Sequence, residues 1–131
     1  MATEDASRAR ALVGVPFRAQ GRDAARGLDC VGLALAACGL PVDAARANYR
    51  LRGDHRAEVK LGLLRYFRRV SRRQGRVGDL LLLAVASDQI HLAIRTASGF
   101  VHADARLRKV VQTPGVPEWP ILGIYRKRRR G

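Results

Sequence analysis

The sequence predicts an α+β fold in a single domain, and three observations carry that prediction. Apolar residues recur at helical spacing in the first half of the chain, short apolar runs of strand character fill the second half from residue 78, and turn-forming residues separate those runs. A chain of 131 residues with 47% hydrophobic content has the apolar material for one core and no room for a second.

Residues 7–14 (SRARALVG) carry a short helical pattern, and the VPFRAQGRDAARG that follows reads as a loop because its Gly and Pro residues interrupt any period. Residues 28–39 then read as a helix beginning near Cys30 and stopped by Gly39, with Pro41 just beyond. That helix is apolar on nearly every side, so it should be central. Residues 41–56 show no period and form a connection. Over 57–70, Leu61, Leu64, Phe67 and Val70 fall at helical spacing while Lys60, Arg65, Arg68 and Arg69 lie largely elsewhere, which predicts an amphipathic helix with a basic outer surface. Five strands are expected, at 79–86, 90–95, 99–103, 107–112 and 121–126, meandering into an antiparallel sheet of about five strands.

Lys and Arg number 25 against 11 Asp and Glu, a formal charge of +14, so the surface must be strongly electropositive. Anionic partners follow: cell-wall polymer, lipid head groups or nucleic acid. The run Arg126 to Arg130 reads as a solvated basic end, with the domain over 1–126 and a tail over 127–131. The longest apolar runs, 31–38 and 80–86, fall far short of the roughly 20 residues that cross a bilayer, so no membrane span is expected. The N-terminus opens with acids and lacks the basic start, apolar middle and small-residue site of a secretory signal. Synthesis in the cytoplasm is expected, with delivery by other means if the protein acts outside.

Cys30 and Cys38 fall on one predicted helix, where eight residues rise about 12 Å at about 1.5 Å each, beyond the roughly 7 Å limit for a disulfide. Both therefore read as thiols. A helix start favours a thiolate, because unpaired backbone N–H groups and the helix dipole point at it, and the same groups can serve an oxyanion. Cys30 occupies such a position, whereas Cys38 lies within the apolar run and reads as a small hydrophobe. His91 interrupts one predicted strand and His102 the next; in a hairpin turning near residues 97–99 they can lie side by side on one face. One then serves as base to the thiol and the other orients its ring. Taken singly, each of these three residues reads first as structural, and it is their combination that points to catalysis. His55, among Arg52, Asp54 and Arg56, reads as solvent-exposed. No Cys or His spacing matches a zinc pattern, so neither a metal nor an organic cofactor is expected.

The segments Asp29-Cys30-Val31-Gly32-Leu33, Gly78-Asp79-Leu80, His91-Leu92-Ala93-Ile94 and Phe100-Val101-His102-Ala103 occur in the order seen in NlpC-type cell-wall cysteine endopeptidases, which this chain resembles over roughly residues 8–126. Upstream, Val13-Gly14-Val15-Pro16-Phe17-Arg18 looks like that family's Gly-x-Pro-Tyr segment. The resemblance is greatest to the short members carried by phages and gene-transfer particles. It implies a papain-like core, with the cysteine helix packed on an antiparallel sheet that holds both histidines. It also implies hydrolysis of amide bonds in peptidoglycan stem peptides, commonly between D-glutamate and a diamino acid. By motif position Cys30 is the nucleophile, His91 the base and His102 the orienting residue, with Phe17, Asp29 and Val31 in the substrate or oxyanion region. Action at the cell wall after delivery or release, within a phage-like particle and beside its tail proteins, would follow. Two departures stand out: Phe17 replaces the usual tyrosine and Val31 a common serine. An acyltransferase would use the same nucleophile and base, and a catalytically weak basic phage-tail or nucleic-acid-binding protein would account for the charge.

Overall fold

The computed structural model describes residues 2–41, 62–86 and 89–128. The expected connection over 41–56, with His55, lies almost wholly outside the described residues, as do the start of the helix expected from residue 57 and the chain end at 129–131.

Helix α1, Ala2–Ala11, carries Glu4 and Asp5 in its first turn and Arg8 and Arg10 in its last, a charge order that complements the helix dipole. The loop after it contains a two-residue ladder, β1 (Arg22–Asp23) with β2 (Gly27–Leu28), where only irregular chain was expected. Helix α2, Cys30–Ala37, is apolar all round and buried along most of its length. Its start is fixed by Asp29, whose extended backbone and side chain cap the helix by accepting from the Gly32 N–H at 2.9 Å. Its end is fixed by Gly39, which takes the left-handed conformation (φ 66°) that the sequence reading assigned to a stop signal.

Helical residues 62–66 lead directly into β3, Phe67–Val70, and a 3-10 turn at Arg72–Gln74 follows. The remaining strands are β4 (Leu80–Ala86), β5 (Gln89–Arg95), β6 (Gly99–Asp104), β7 (Lys109–Pro114) and β8 (Ile121–Lys127). They form one antiparallel sheet in the order β3-β8-β4-β5-β6-β7. The fold is thus α+β, with six strands in the main sheet where about five were expected. The extra strand comes from the segment read as helix over 57–70. Phe67 and Val70 suit a helix face by spacing, but Phe67 pairs with Lys127 and Val70 with Ile124, a partner far along the chain. Arg68 and Arg69 stay exposed on this edge strand, where charge blocks pairing with other chains.

The first helix lies earlier than its sequence pattern, at Ala2–Ala11, and two later differences have identifiable causes. The strand expected from residue 107 starts at Lys109, because the Asp104 carboxylate accepts the backbone N–H groups of Arg106 and Leu107 and holds residues 105–108 in a turn. The chain end is not merely solvated: Arg126 lies in β8 and forms a two-pronged pair with the wholly buried Asp79, at 2.8 Å to each oxygen. Lys127, also in β8, reaches the Cys38 carbonyl at 2.7 Å and Asp5 at 3.4 Å, and Asp5 pairs with Arg8 as well.

Each face of the sheet has its own core. Leu80, Leu82, Leu92, Ile94 and Val101 pack with α1 and α2 residues, including Ala9, Leu33 and Ala37. Leu81, Leu83, Ala93 and Phe100 form a smaller cluster on the other face, covered by Trp119 and Ile121. Among the described residues no helix is long and apolar enough to cross a membrane.

Candidate active site

Cys30 is the first residue of α2, so its position is set by Asp29. That carboxylate accepts from the backbone N–H of Gly32 and of Gln20, each at 2.9 Å, and from Arg22 at 3.2 Å, tying the loop before the helix to the helix start. Close approach is possible because residue 32 is glycine; a Cβ there would collide with the Gly21 carbonyl oxygen. Phe17 is held from two sides, its N–H donating to the Arg108 carbonyl at 2.9 Å and its backbone bridging to Leu28. The two-residue ladder and this bridge bring Phe17 and Gln20 to the mouth of the helix.

The histidines come from the sheet. Strands β5 and β6 pair at Ile94 with Val101 and at Arg95 with Phe100, and the ladder ends there. Continued one pair further, that register sets His102 beside Ala93 and leaves His91 two residues away on the same face, a diagonal that long side chains can close. The rings do close it: His91 Nε2 lies 3.0 Å from His102 Nδ1, with the ring planes at 87°. The diagonal continues across the next pair of strands. His102 stands opposite Val111 of β7, and its Nε2 lies 3.3 Å from the hydroxyl of Thr113, two residues on. A polar line thus runs from His91 through His102 to Thr113 on three adjacent strands.

Cys30, His91 and His102 line one cavity of about 630 Å³, together with Phe17, Asp29 and Trp119. Val31 is not among its lining residues; its side chain packs against the core beneath α2. Beyond the end of the β5–β6 ladder the backbone N–H of Leu92 faces the Cys30 sulfur, as do those of Val31 and Cys30 itself. These donors favour a thiolate, as a helix start should. Burial opposes them more strongly and pushes the Cys30 thiol up to about 12, with the Asp29 carboxylate acting in the same direction. The preference of the helix start for a thiolate is therefore outweighed by burial, and the resting group is a neutral thiol.

Burial lowers His91 to about 4, the neighbouring His102 adds to the effect, and Asp104 opposes it. His102 is lowered too, again by burial and against Asp104. Around neutral pH the cavity thus holds a neutral thiol and neutral imidazoles. With Nε2 of His91 engaged by His102, the ring nitrogen left for other work is Nδ1. The tautomer in which His91 Nε2–H donates to His102 Nδ1, and His102 Nε2–H donates to Thr113, leaves the lone pair of His91 Nδ1 open as a base.

Trp119 was not singled out in the sequence. Its ring centroid lies 6.1 Å from that of His91 and 5.8 Å from that of His102, nearly perpendicular to both, and it covers them from the β7–β8 loop. Being the chain's one tryptophan, in Gly-Val-Pro-Glu-Trp-Pro, it carried a signal, but nothing local tied that loop to the histidines. Thr113 gave less: a threonine at a strand end is common, and only the register shows it two residues beyond the partner of His102. Among the described residues no cluster of three or more His, Cys, Asp or Glu side chains is placed to hold a metal ion. No family model matches the chain, and no curated protein matches it significantly.

Proposed function

We propose that the chain is a cysteine endopeptidase of the NlpC type that hydrolyses amide bonds in peptidoglycan stem peptides, with Cys30 as nucleophile, His91 as base and His102 as the residue that orients it. The observation that carries the proposal is the meeting, in one cavity, of a thiol at a helix start with a hydrogen-bonded histidine pair. A helix bearing the thiol packed on an antiparallel sheet bearing the base is the arrangement expected of a papain-like core.

The neutral resting state sets the mechanism. His91 Nδ1 takes the proton of the Cys30 thiol as the sulfur attacks the scissile carbonyl carbon, so charge develops only with substrate bound. The oxyanion falls to backbone N–H groups at the start of α2, where the dipole also favours negative charge. The imidazolium then gives its proton to the departing amine, leaving a thioester on Cys30. Water, deprotonated by His91, attacks the thioester, the acid product leaves, and the proton returns to sulfur. The hydrogen bond from His91 Nε2 to His102 fixes the tautomer throughout, and Thr113 fixes His102 in turn.

Action at the wall requires delivery from the site of synthesis, and a phage-like or gene-transfer particle would provide it. The charge of +14 suits attachment to anionic envelope polymers on arrival. Digestion of purified muropeptides followed by mass spectrometry tests the reading. Release of fragments ending in D-glutamate supports it, and intact muropeptides after prolonged incubation with folded protein overturn it.

A further inference from the structure

The cavity that holds Cys30 and His91 also receives Arg106, the one arginine or lysine among its lining residues. Its placement is fixed by backbone bonds. The Asp104 carboxylate accepts the Arg106 N–H at 2.8 Å and the Leu107 N–H at 3.1 Å, and the carbonyl of Arg108 accepts the Phe17 N–H at 2.9 Å, which ties the turn to the opposite lip of the cavity. Arg108 takes the left-handed conformation (φ 61°), closing the turn tightly.

Arg106 is exposed, and among the described residues its bonding is confined to the backbone N–H that Asp104 accepts. The acids lining the cavity are engaged elsewhere: Asp29 caps α2 and meets Arg22, and Asp104 holds its own turn through backbone N–H groups. In a chain with so large an excess of cations, a single unpaired arginine at the mouth of this cavity stands apart from those on the basic edge at β3.

We propose that Arg106 is a specificity-determining residue that binds a free carboxylate of the substrate next to the scissile amide. This inference rests on the stem-peptide reading and deepens it. A D-glutamyl residue linked through its side-chain carbonyl keeps its α-carboxylate a short methylene chain from the scissile carbon, and the planar guanidinium fork matches a carboxylate in two-pronged geometry. A second carboxylate of the same chemistry is available at the end of the diamino acid's side chain when it is diaminopimelate, and is lacking when it is lysine; the α-carboxyl of either continues the stem as an amide. In either case the site selects for charge, and amidation of that carboxylate removes the partner that Arg106 requires.

The test measures binding, so that it does not depend on turnover. The Cys30→Ala protein, checked for native circular dichroism, is titrated calorimetrically with γ-D-glutamyl-diaminopimelate, with its α-amidated isoglutamine counterpart, and with γ-D-glutamyl-lysine, each blocked as the amide at the diamino-acid carboxyl that continues the stem. The three are titrated again after adding Arg106→Ala and Arg106→Lys. Arg106→Ala should weaken the fully carboxylated peptide about tenfold or more, the loss typical of a charged hydrogen bond, and Arg106→Lys should restore part of it. The peptide whose affinity is already low, and unchanged by Arg106→Ala, identifies which carboxylate is bound. Equal weakening of all three peptides, or of none, overturns the proposal. If the native protein cuts no stem peptide while the binding preference persists, the hydrolase reading fails and this inference stands.

Discussion

The two cysteines bracket one helix, and their surroundings differ in what they allow. Cys30 opens α2 and Cys38 caps its end; both are buried, and burial pushes both thiols up to about 12. Neither burial nor basicity separates them. The difference is in what faces them: Cys30 lines a cavity with two histidines, whereas Cys38 sits over the ion group of Asp5, Arg8 and Lys127 and lines no part of that cavity. On the proposed reading, the reactive thiol is the one that shares a cavity with histidines, and of the two cysteines only Cys30 does so among the described residues.

The sharpest break between the two ends is expected in turnover of a stem peptide. Cys30→Ala should abolish it, a loss of at least about 10³-fold, and Cys38→Ala should leave kcat/KM nearly unchanged. Comparable losses in two folded variants would erase the distinction. The base comes next: His91→Ala should lower kcat by roughly 10² to 10⁴, while His102→Gln, which keeps hydrogen-bonding capacity, should retain partial activity. Full activity in His91→Ala would remove the base from the account.

Much of this comparison was legible in the sequence. Asp29 before an apolar run that ends in Gly39 marks both ends of α2, and strand alternation places His91 and His102 in neighbouring strands. What was hidden depends on distant partners. Phe67 and Val70 satisfy a helical period, and only β8 shows that they belong to a strand. Arg126 reads as part of a basic run until Asp79, far back in the chain, is seen beneath it. Trp119 reaches the histidines only because the β7–β8 loop folds over them. The balance at Cys30 was hidden for a related reason: the helix start is local, whereas the burial that outweighs it is made by the whole fold.

Two pH effects sharpen the account at the Cys30 end. The free enzyme should lose kcat/KM as pH falls through about 4, where His91 is protonated, and not near 6.5 as an ordinary histidine would. Stability should respond in the matching direction. Since folding lowers His91 from 6.5 to about 4, the unfolded chain binds that proton more readily between those values, so stability falls as pH drops through that window. Denaturant unfolding of His91→Gln should show a shallower decline over the same range; an identical decline would place the titrating group elsewhere.

At the Cys38 end the expected effect is on stability alone. Lys127→Ala removes the hydrogen bond to the Cys38 carbonyl and one partner of buried Asp5, at a cost of about 1–2 kcal/mol, with stem-peptide turnover unchanged. A marked drop in turnover would show that the two ends of α2 are coupled. The smallest effect concerns Phe17, which lines the cavity and lacks a hydroxyl. Phe17→Tyr should fold normally and raise turnover by less than the roughly 10²-fold worth of a full oxyanion donor, because in the proposed mechanism backbone N–H groups at the start of α2 already serve. Unchanged turnover in a well-folded variant would show that the cavity has no use for a hydroxyl there.

The central claim is that Cys30, activated by His91, attacks the substrate carbonyl. Its most direct test is covalent capture with a γ-D-glutamyl peptide analogue whose scissile amide is replaced by a chloromethyl ketone, followed by tryptic mapping. The account predicts a single adduct on Cys30, formed far more slowly in His91→Ala and untouched by Cys38→Ala; an adduct on Cys38, or equal rates with and without His91, would contradict it.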